Sequence, residues 1–238
     1  MVAYTYLDCL ASFGVGGAHP GGLQLSKKIL SRENITKKTR ILDVGCGTGQ
    51  TAAYLAETYQ CEVTCLDQNE MMVEKAKKRF QARNLAIETK CGSVECLPFA
   101  NHSFDLILSE SVTTFTDLSK TLPELRRVLK PNGVLLATEM VLEEPLPKEE
   151  LTPLLEFYGM PQILMEPEWH ALLQKAEFQK IEIDTFTLPT TEPEIENATD
   201  FSLSEQLDDE LYDILEQHEQ LTKQYQQILA FRVFRCTT

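Results

Sequence analysis

Basic residues are scarce in this sequence. Its 238 residues include 22 Lys and Arg against 36 Asp and Glu, which gives a formal net charge of −14 at pH 7. A protein that binds DNA or RNA needs a basic surface to neutralise phosphates, so this charge balance argues against a nucleic-acid partner. Long apolar runs are missing as well: no segment reaches the ~18 consecutive apolar residues of a transmembrane helix, and we predict no membrane span.

Paired cysteines are also lacking. The seven cysteines are an odd number and none forms a CxxC motif. The first ten residues, MVAYTYLDCL, have neither the basic n-region nor the cleavage site of a secretory signal. We therefore expect a reduced, cytoplasmic protein whose cysteines act as small apolar residues, and we predict no metal site.

Short apolar runs alternate with helical patterns from about residue 39 onward. The runs lie at 39–44, 62–66, 86–90, 104–108 and 134–138, and the helical patterns at 51–59, 71–83 and 119–129. Strands that alternate with helices in this way predict βαβ units, a parallel sheet and an α/β fold. A chain of this length is expected to form one domain, 1–238.

The remaining parts of the chain are less regular. Residues 143–167 are rich in proline and glutamate, and residues 188–226 combine a Pro/Glu/Thr-rich stretch with an amphipathic helical pattern. We interpret both segments as insertions near the ends of the strands. Two alternating segments, 178–186 and 228–236, predict two further strands.

The segment ILDVGCGTGQ, residues 41–50, is the most informative one. Glycines after a strand and before a helix allow a sharp turn and a close approach by a ligand. A dinucleotide-binding GxGxxG motif is the first alternative, but its third glycine, counted from Gly45, falls on Gln50. Asp43, at the end of the strand, would repel a pyrophosphate and attract a cation. S-adenosylmethionine has no phosphate and carries a sulfonium and an ammonium, so it fits this segment.

Candidate adenosine-binding residues follow the second predicted strand. Asp67 stands at its end, where an acid can accept hydrogen bonds from both ribose hydroxyls. Gln68 comes next, and Met71 and Met72 are polarizable side chains that can pack on a flat base.

Further candidates follow the third and fourth predicted strands. The Ser93 hydroxyl and the Val94 N–H can contact the edge of adenine. Ser109 and Glu110 end the fourth strand, where reacting groups are expected to meet because ligands of such sheets bind at the carboxyl ends of the strands.

These motifs resemble those of the class I S-adenosylmethionine-dependent methyltransferases, in particular the group with the ubiquinone/menaquinone-biosynthesis methyltransferases and many small-molecule methyltransferases. The resemblance covers residues 39–139 and extends to 169–186. It implies a Rossmann-like, seven-stranded, mostly parallel sheet of order 3-2-1-4-5-7-6, with the last strand antiparallel and helices on both faces.

The resemblance also implies a cofactor site. Asp43 and the glycines after it would form the loop beside the methionine part, Asp67 would bind the ribose, and residues 93–94 would face the adenine. Many relatives have Asp where Ser93 stands, so the contact with the adenine amino group differs here. The cofactor-binding residues that we predict are Asp43, Gly45, Gly47, Gly49, Asp67, Gln68, Met72, Ser93, Val94 and Ser109.

Two residues are candidates for catalysis. By the same resemblance, residues 1–38 form a helical lid that brings His19 near the methionine end of the cofactor or the substrate. Glu110 can act as a general base or bind a substrate amine, and His19 can transfer a proton. The alternatives are structural: Glu110 as a cap of the next turn, and His19 as a solvated loop residue.

We therefore expect an enzyme that transfers the methyl group of S-adenosylmethionine to a small molecule by in-line displacement. Its main task is to align the acceptor behind the methyl carbon and to exclude water. The lid and the two insertions, 143–167 and 188–226, are expected to shape the acceptor pocket. The predicted apolar wall residues are Phe115, Leu155, Phe157, Tyr158 and Met160. Two alternatives stay open: the acceptor is a protein, or the chain is a non-catalytic scaffold subunit that binds the cofactor.

Overall fold

A mostly parallel β-sheet organises the chain. The computed structural model describes residues 4–186 and 199–238, and within them the sheet has eight strands. The strands are β1 (Arg40–Val44), β2 (Glu62–Asp67), β3 (Glu88–Cys91), β4 (Phe104–Glu110), β5 (Leu129–Leu142), β6 (Leu164–Met165), β7 (Lys180–Asp184) and β8 (Leu229–Thr237). Their order is β3-β2-β1-β4-β5-β8-β7, and β6 pairs with β5 beside this path.

The predicted topology is confirmed. The pairs from β3 to β5 are parallel, and β8 is antiparallel to both of its neighbours, β5 and β7. The predicted order 3-2-1-4-5-7-6 becomes 3-2-1-4-5-8-7 because β6 lies inside the segment 143–167. A strand of two residues is too short to show an alternating pattern, so periodicity does not reveal it.

Helices cover both faces of the sheet, as predicted. In the described ranges they are α1 (Tyr6–Phe13), α2 (Gly22–Leu30), α3 (Gln50–Tyr59), α4 (Glu70–Ala82), α5 (Leu118–Val128), α6 (Lys148–Tyr158), α7 (Glu166–Lys175) and α8 (Asp209–Tyr225), with a 3₁₀ turn at Thr113–Phe115. Side-chain caps satisfy free N–H groups at the starts of α4 and α5, where Asn69 and Asp117 are the N-caps.

The two faces follow from the alternation of side chains along the strands. On one face, Leu42 and Ile107 belong to an apolar cluster that includes α5 and α7. On the other face, Ile41 and Leu106 belong to a cluster that includes α2, α3 and α4. Each strand residue therefore points to one face of the sheet. At the ends of the strands, this face decides which polar side chains can meet.

β5 begins earlier than the sequence predicts. The apolar pattern indicates a strand at 134–138 after a Pro-Asn-Gly turn, but β5 spans Leu129–Leu142. The register with β4 shifts between Phe104 and Leu106, and Asn132 has a φ of 63°. The strand continues through the predicted turn because an irregularity of this kind absorbs extra residues without ending the pairing.

The predicted insertions form a smaller apolar unit at one end of the sheet. The segment 143–167 contains α6 and β6, and α8 belongs to the segment 188–226. Leu154 and Tyr158 of α6 belong to one buried cluster with Leu221 and Tyr225 of α8. The part of the second insertion at 188–198 lies outside the described residues. Among the helices that the structure describes, none combines the length and apolar character needed to cross a membrane.

Candidate active site

A cavity of about 470 Å³ opens at the carboxyl ends of β1, β2 and β4. Its floor includes the turn after β1, and its other walls include residues of α1, of the loop before α2, and of the segment 110–116. Its size lies within the range of small-molecule sites, roughly 300–1,000 Å³. The cavity also lies where open α/β sheets bind their ligands, outside the carboxyl ends of the strands.

Three glycines shape the turn after β1. Gly45, Gly47 and Gly49 have φ values of 63°, 53° and 75°, a region that side chains disfavour. A Cβ at Gly45 would lie 2.3 Å from Val112 Cγ2, and one at Gly49 would lie 2.4 Å from Phe80 Cζ. Gly47 lines the cavity and has no atom within 4 Å of such a Cβ. The outer glycines are therefore required by packing, whereas the middle one leaves open space beside the turn.

This difference gives a test of the turn. Alanine at position 47 or 49 strains the backbone by about 1–2 kcal/mol, and Gly49→Ala also overpacks against Phe80 at a further cost of about 1–3 kcal/mol. Chemical denaturation should show the larger loss of unfolding free energy for Gly49→Ala. A Cβ at position 47 would enter the space where a ligand binds. For Gly47→Ala, calorimetry should therefore show a loss of binding free energy that is larger than the loss of unfolding free energy. Unchanged affinity in Gly47→Ala would exclude the turn as a binding surface.

Asp67 holds the glycine turn and the start of α4 together. Its Oδ2 accepts the Gly47 N–H at 2.9 Å, and its Oδ1 accepts the Asn69 N–H at 2.9 Å. The residue is 9% exposed, and burial raises the pKa of its carboxyl group. Each oxygen accepts one of these bonds, so lone pairs remain for ligand hydroxyl groups.

Asp43 is the most deeply buried acid of the cavity wall, with 3% exposure. Among the described residues, no group donates a hydrogen bond to its carboxylate. Burial, followed by the charges of Glu110 and Asp67, raises its pKa well above the usual range. A buried carboxylate that faces a cavity without a donor is costly unless a cation or donor from a ligand pairs with it.

Glu110 and His19, the two catalytic candidates, lie side by side. The Ser26 hydroxyl donates to Glu110 Oε1, and the Thr51 hydroxyl donates to Oε2 at 2.9 Å. His19 Nε2 lies 3.5 Å from the same Oε2, and the His19 and Glu110 side chains are only 5% and 8% exposed. Residues of α2, α3 and the preceding loop thus converge on the end of β4. The catalytic role of the pair remains a prediction.

Other predicted site residues are divided between the cavity and its surroundings. Gln68, Met72 and Val94 line the cavity. Ser93 is exposed and its hydroxyl oxygen accepts the N–H of Glu95 at 3.1 Å. Gly49 is the N-cap of α3 and does not line the cavity. The cofactor roles of these residues stay predictions. Val94 is better placed than Ser93 to contact an adenine, because Val94 lines the cavity and Ser93 does not.

Ser109 faces away from the cavity. Successive residues of a strand point to opposite faces, so Glu110 and Ser109 cannot both face the same space. The Ser109 hydroxyl donates to Glu139 Oε1 at 3.2 Å, and both residues are fully buried. Any influence of Ser109 on the cofactor site therefore passes through Glu139.

Glu139 was not predicted from the sequence, yet it organises one wall of the cavity. Its two oxygens accept the N–H groups of Thr113 and Thr114 at 3.1 and 3.2 Å, and the Thr114 hydroxyl at 2.7 Å. The Val112 N–H lies 3.4 Å from Oε1. Burial raises the pKa of Glu139 despite these donors. The carboxylate holds the turn that carries Val112 and Phe115 into the cavity wall.

The amino-terminal segment covers the cavity and is tied to α4. The Lys75 ammonium group donates to the carbonyl oxygens of Ala11 and Ser12 at 2.7 and 3.0 Å, and also to that of Ser202. Arg79 forms two hydrogen bonds with Asp200, at 2.6 and 2.9 Å. The Lys75 contacts hold the end of α1 against α4. The lid at 1–38 stays a prediction.

Other lining residues were not predicted. They include polar or small side chains that follow β1, β2 and β4, namely Thr48, Thr51, Asn69, Ser111 and Val112. Asn69 carries a sequence signal, because Asn directly before a helical pattern is a common N-cap. The others have no signal in the local pattern, because their position depends on how the turns pack.

The cavity fits an adenosine compound that carries a positive charge. Asp43 faces the cavity without a donor, Asp67 retains lone pairs for ribose hydroxyls, and the turn leaves open space at Gly47. Met72 and Val94 supply apolar surface for a base. The fold and these groups define a Rossmann-like protein that binds a cationic adenosine compound.

Comparisons with known proteins agree with this class. Residues 42–137 match the family described as Methyltransferase domain. The Bacillus subtilis (strain 168) protein described as "Uncharacterized methyltransferase YodH" is 43% identical over 229 residues, which cover 96% of this chain and 97% of that protein. This chain therefore belongs to the class I S-adenosylmethionine-dependent methyltransferases, as its motifs predict. It is an enzyme of this class, and its cofactor is S-adenosylmethionine.

More distant matches show how widely the fold is shared. The glycine/sarcosine/dimethylglycine N-methyltransferase of Actinopolyspora halophila is 34% identical over 161 residues, which cover 66% of this chain and 28% of that protein. The Haemonchus contortus phosphoethanolamine N-methyltransferase 2 in complex with S-adenosyl-L-methionine superposes with a TM-score of 0.79 at 20% identity, over 100% of this chain and 58% of that one. The second similarity concerns the fold alone.

Proposed function

We propose that this enzyme methylates a small-molecule acceptor by in-line displacement. When bound, S-adenosylmethionine supplies an electrophilic methyl group, because the carbon–sulfur bond of its sulfonium can break with the electron pair left on sulfur. The observation that carries the proposal is the cavity of about 470 Å³, whose walls include residues of α1 and of the loop before α2. A space of this size suits a cofactor and the reacting end of a small acceptor better than a folded protein surface.

The residues of the cavity divide into two groups in this proposal. Asp43 and the glycine turn would hold the methionine part, Asp67 the ribose, and Met72 with Val94 the adenine. Glu110, at the end of β4, and His19, in the loop before α2, would face the acceptor, because both line the cavity and lie beside each other. Their task is to orient the acceptor and to take up a proton where the acceptor must lose one.

A second depression, of about 550 Å³, adjoins the cavity and shares Phe115 and Thr116 with it. We propose that it holds the body of the acceptor. Three of the predicted wall residues, Phe115, Leu155 and Met160, line this depression.

The other two predicted wall residues have a different place. Phe157 and Tyr158 pack their rings against Tyr6 of the lid, with ring centres 5.8 and 4.8 Å from the Tyr6 ring. They hold α1 and α6 together, so any effect that they have on the acceptor site would be indirect.

Incubation with isotopically labelled S-adenosylmethionine and a cell metabolite extract tests the proposal. We expect label in a small-molecule product by mass spectrometry, and much less of it with Asp43→Asn as the control. Label confined to protein would favour a protein acceptor instead. Cofactor binding by calorimetry without any labelled product would favour a scaffold role.

We also propose that the protein is located in the cytoplasm. Reduced thiols would be expected in the cytoplasm, and all seven cysteines are free thiols in this structure.

A further inference from the structure

The ionisable residues that line the cavity and the adjoining depression have one sign of charge. The acids of the cavity wall are Asp8, Asp43, Asp67 and Glu110. Glu95, Asp117 and Glu156 line the depression. In the part of the chain that the structure describes, no Lys or Arg lines either space, and His19 is the only lining residue with an ionisable base.

The nearest cations are already engaged with other groups. Lys120 lies beside the depression, where its ammonium group is 3.6 Å from Glu95 and 3.2 Å from Asp117. It therefore offsets one of the three negative charges there. Arg79 binds Asp200, and Lys75 binds carbonyl oxygens behind the lid. These contacts leave an excess of negative charge on the walls.

The bound cofactor neutralises only part of this excess. Its sulfonium and ammonium minus its carboxylate leave one net positive charge, which Asp43 is assigned to pair with, and Asp8, Asp67 and Glu110 are the other acids of the cavity wall. Charges 4–6 Å apart still interact by several kcal/mol at the effective dielectric constant of a partly buried site. An anionic acceptor would add repulsion, and a cationic acceptor would remove it.

The depression also offers apolar surface. Leu155, Met160 and Pro161 line it together with Phe115, which borders the cavity as well. Glu156, an exposed residue of α6, lies on the same wall. A ligand that fits this surface has an apolar body and a cationic group, and Phe115 marks the passage between the two spaces.

We propose that the methyl acceptor is an amine with an apolar body, which binds with its ammonium group near Glu110 and its body in the depression beside Phe115. Glu110 or His19 takes up one ammonium proton, which frees the nitrogen lone pair to form the new bond to the methyl carbon, while the electron pair of the broken carbon–sulfur bond stays on sulfur. This proposal rests on the proposed small-molecule function. The Glu110 carboxylate is pre-positioned for an ammonium group, because Ser26 and Thr51 each donate to one of its oxygens. The hydroxyls hold the carboxylate in place and leave acceptor capacity on both oxygens.

Calorimetry on the protein saturated with S-adenosylhomocysteine tests the proposal. The probes are 2-phenylethylamine, 2-phenylethanol and 3-phenylpropionate, which share a phenyl ring and differ in charge. We expect the amine to bind at least about tenfold more tightly than the carboxylate, with the alcohol between them. A tenfold difference corresponds to about 1.4 kcal/mol. Equal binding of the three probes, tighter binding of the carboxylate, or no binding of the amine would overturn the proposal.

Two variants connect the preference to these residues. Glu110→Gln keeps the shape of the side chain and should remove most of the difference between amine and alcohol. Glu156→Lys changes only an exposed charge at the depression, so the fold should be kept while the affinity for the amine falls at low ionic strength and recovers with salt. The control is Glu219→Lys on the exposed side of α8, which should leave the preference unchanged. A preference unaffected by both Glu110→Gln and Glu156→Lys would contradict the assigned site.

The same titrations separate this proposal from the proposed function. Binding of S-adenosylhomocysteine is measured first in each sample. If that ligand fails to bind, the cofactor site itself is wrong. If it binds and the amine does not, only the acceptor class is wrong, and methylation of another kind of small molecule can still be measured with the labelled cofactor.

Discussion

Replacement of Asp43 by Asn is expected to weaken the binding of S-adenosylmethionine by about 3 kcal/mol, a factor of about 150 in Kd. The Asn side chain fills the same volume but carries no charge to pair with the cation. Isothermal calorimetry measures the effect directly. The matched control is Asp213→Asn on the exposed surface of α8, which should bind the cofactor as the unmodified protein does. An affinity within a factor of three of the unmodified protein would exclude Asp43 as the group that pairs with the cation.

Asp43→Asn should weaken cofactor binding but stabilise the ligand-free protein. Because the pKa of Asp43 is raised in the folded protein, the ligand-free folded state keeps a proton that the unfolded chain loses near its pKa of ~3.9. The contribution of this group to stability is therefore present below about pH 4 and is lost as the pH rises through the raised pKa.

Thermal unfolding without ligand checks this sign. Asp43→Asn should melt at a higher temperature than the unmodified protein above the raised pKa, and the difference should shrink as the pH falls. Affinity for the cofactor should follow the reverse trend and increase with pH, because only the ionised carboxylate attracts a cation. A variant that loses both stability and affinity would indicate general damage to the fold instead.

Replacement of Glu139 by Ala is expected to lower the free energy of unfolding by about 3–5 kcal/mol. The N–H groups of Thr113 and Thr114 and the Thr114 hydroxyl would lose their acceptor inside the protein, and each buried unpaired group costs about 1–3 kcal/mol. Denaturant unfolding with a two-state fit measures the loss. The free energy of unfolding of Glu139→Gln should lie between those of the unmodified protein and Glu139→Ala, because glutamine keeps one carbonyl oxygen as an acceptor.

The control for this series is Glu144→Ala, an exposed glutamate close to Glu139 in the chain. Its effect should stay within about 0.5 kcal/mol, as is usual for surface positions. Cofactor affinity should also fall in Glu139→Ala, because the turn at 113–115 carries part of the cavity wall. A Glu139→Ala protein as stable as the control would show that the turn finds other hydrogen-bond acceptors.

Much of the fold could be predicted because the relevant signals are local. The strands that alternate with helices, the glycine turn and the acids at the ends of β1 and β2 are each readable within a few residues. The strand order came from the resemblance to a family. The two-residue β6 and the early start of β5 could not be predicted, because both depend on pairing with a neighbouring strand and not on the local pattern.

The sequence predicted some positions of the candidate site and missed the direction of others. Glu110 was placed correctly at the end of a strand, but Ser109 beside it was assigned to the same space. One residue of register decides which of the two faces the cavity. The sequence shows no reference point for that register until the neighbouring strands are paired.

The class of this protein could be predicted from a local pattern, because the strand that carries Asp43, the glycine turn and the following helix are consecutive in the chain. The tertiary structure alone decided the partners of the buried carboxylates. Ser26 and Thr51 reach Glu110 from two different helices, and Glu139 reaches the turn at 113–115 from the next strand. Hydrogen bonds between segments distant in the chain depend on packing and register, which no local pattern encodes.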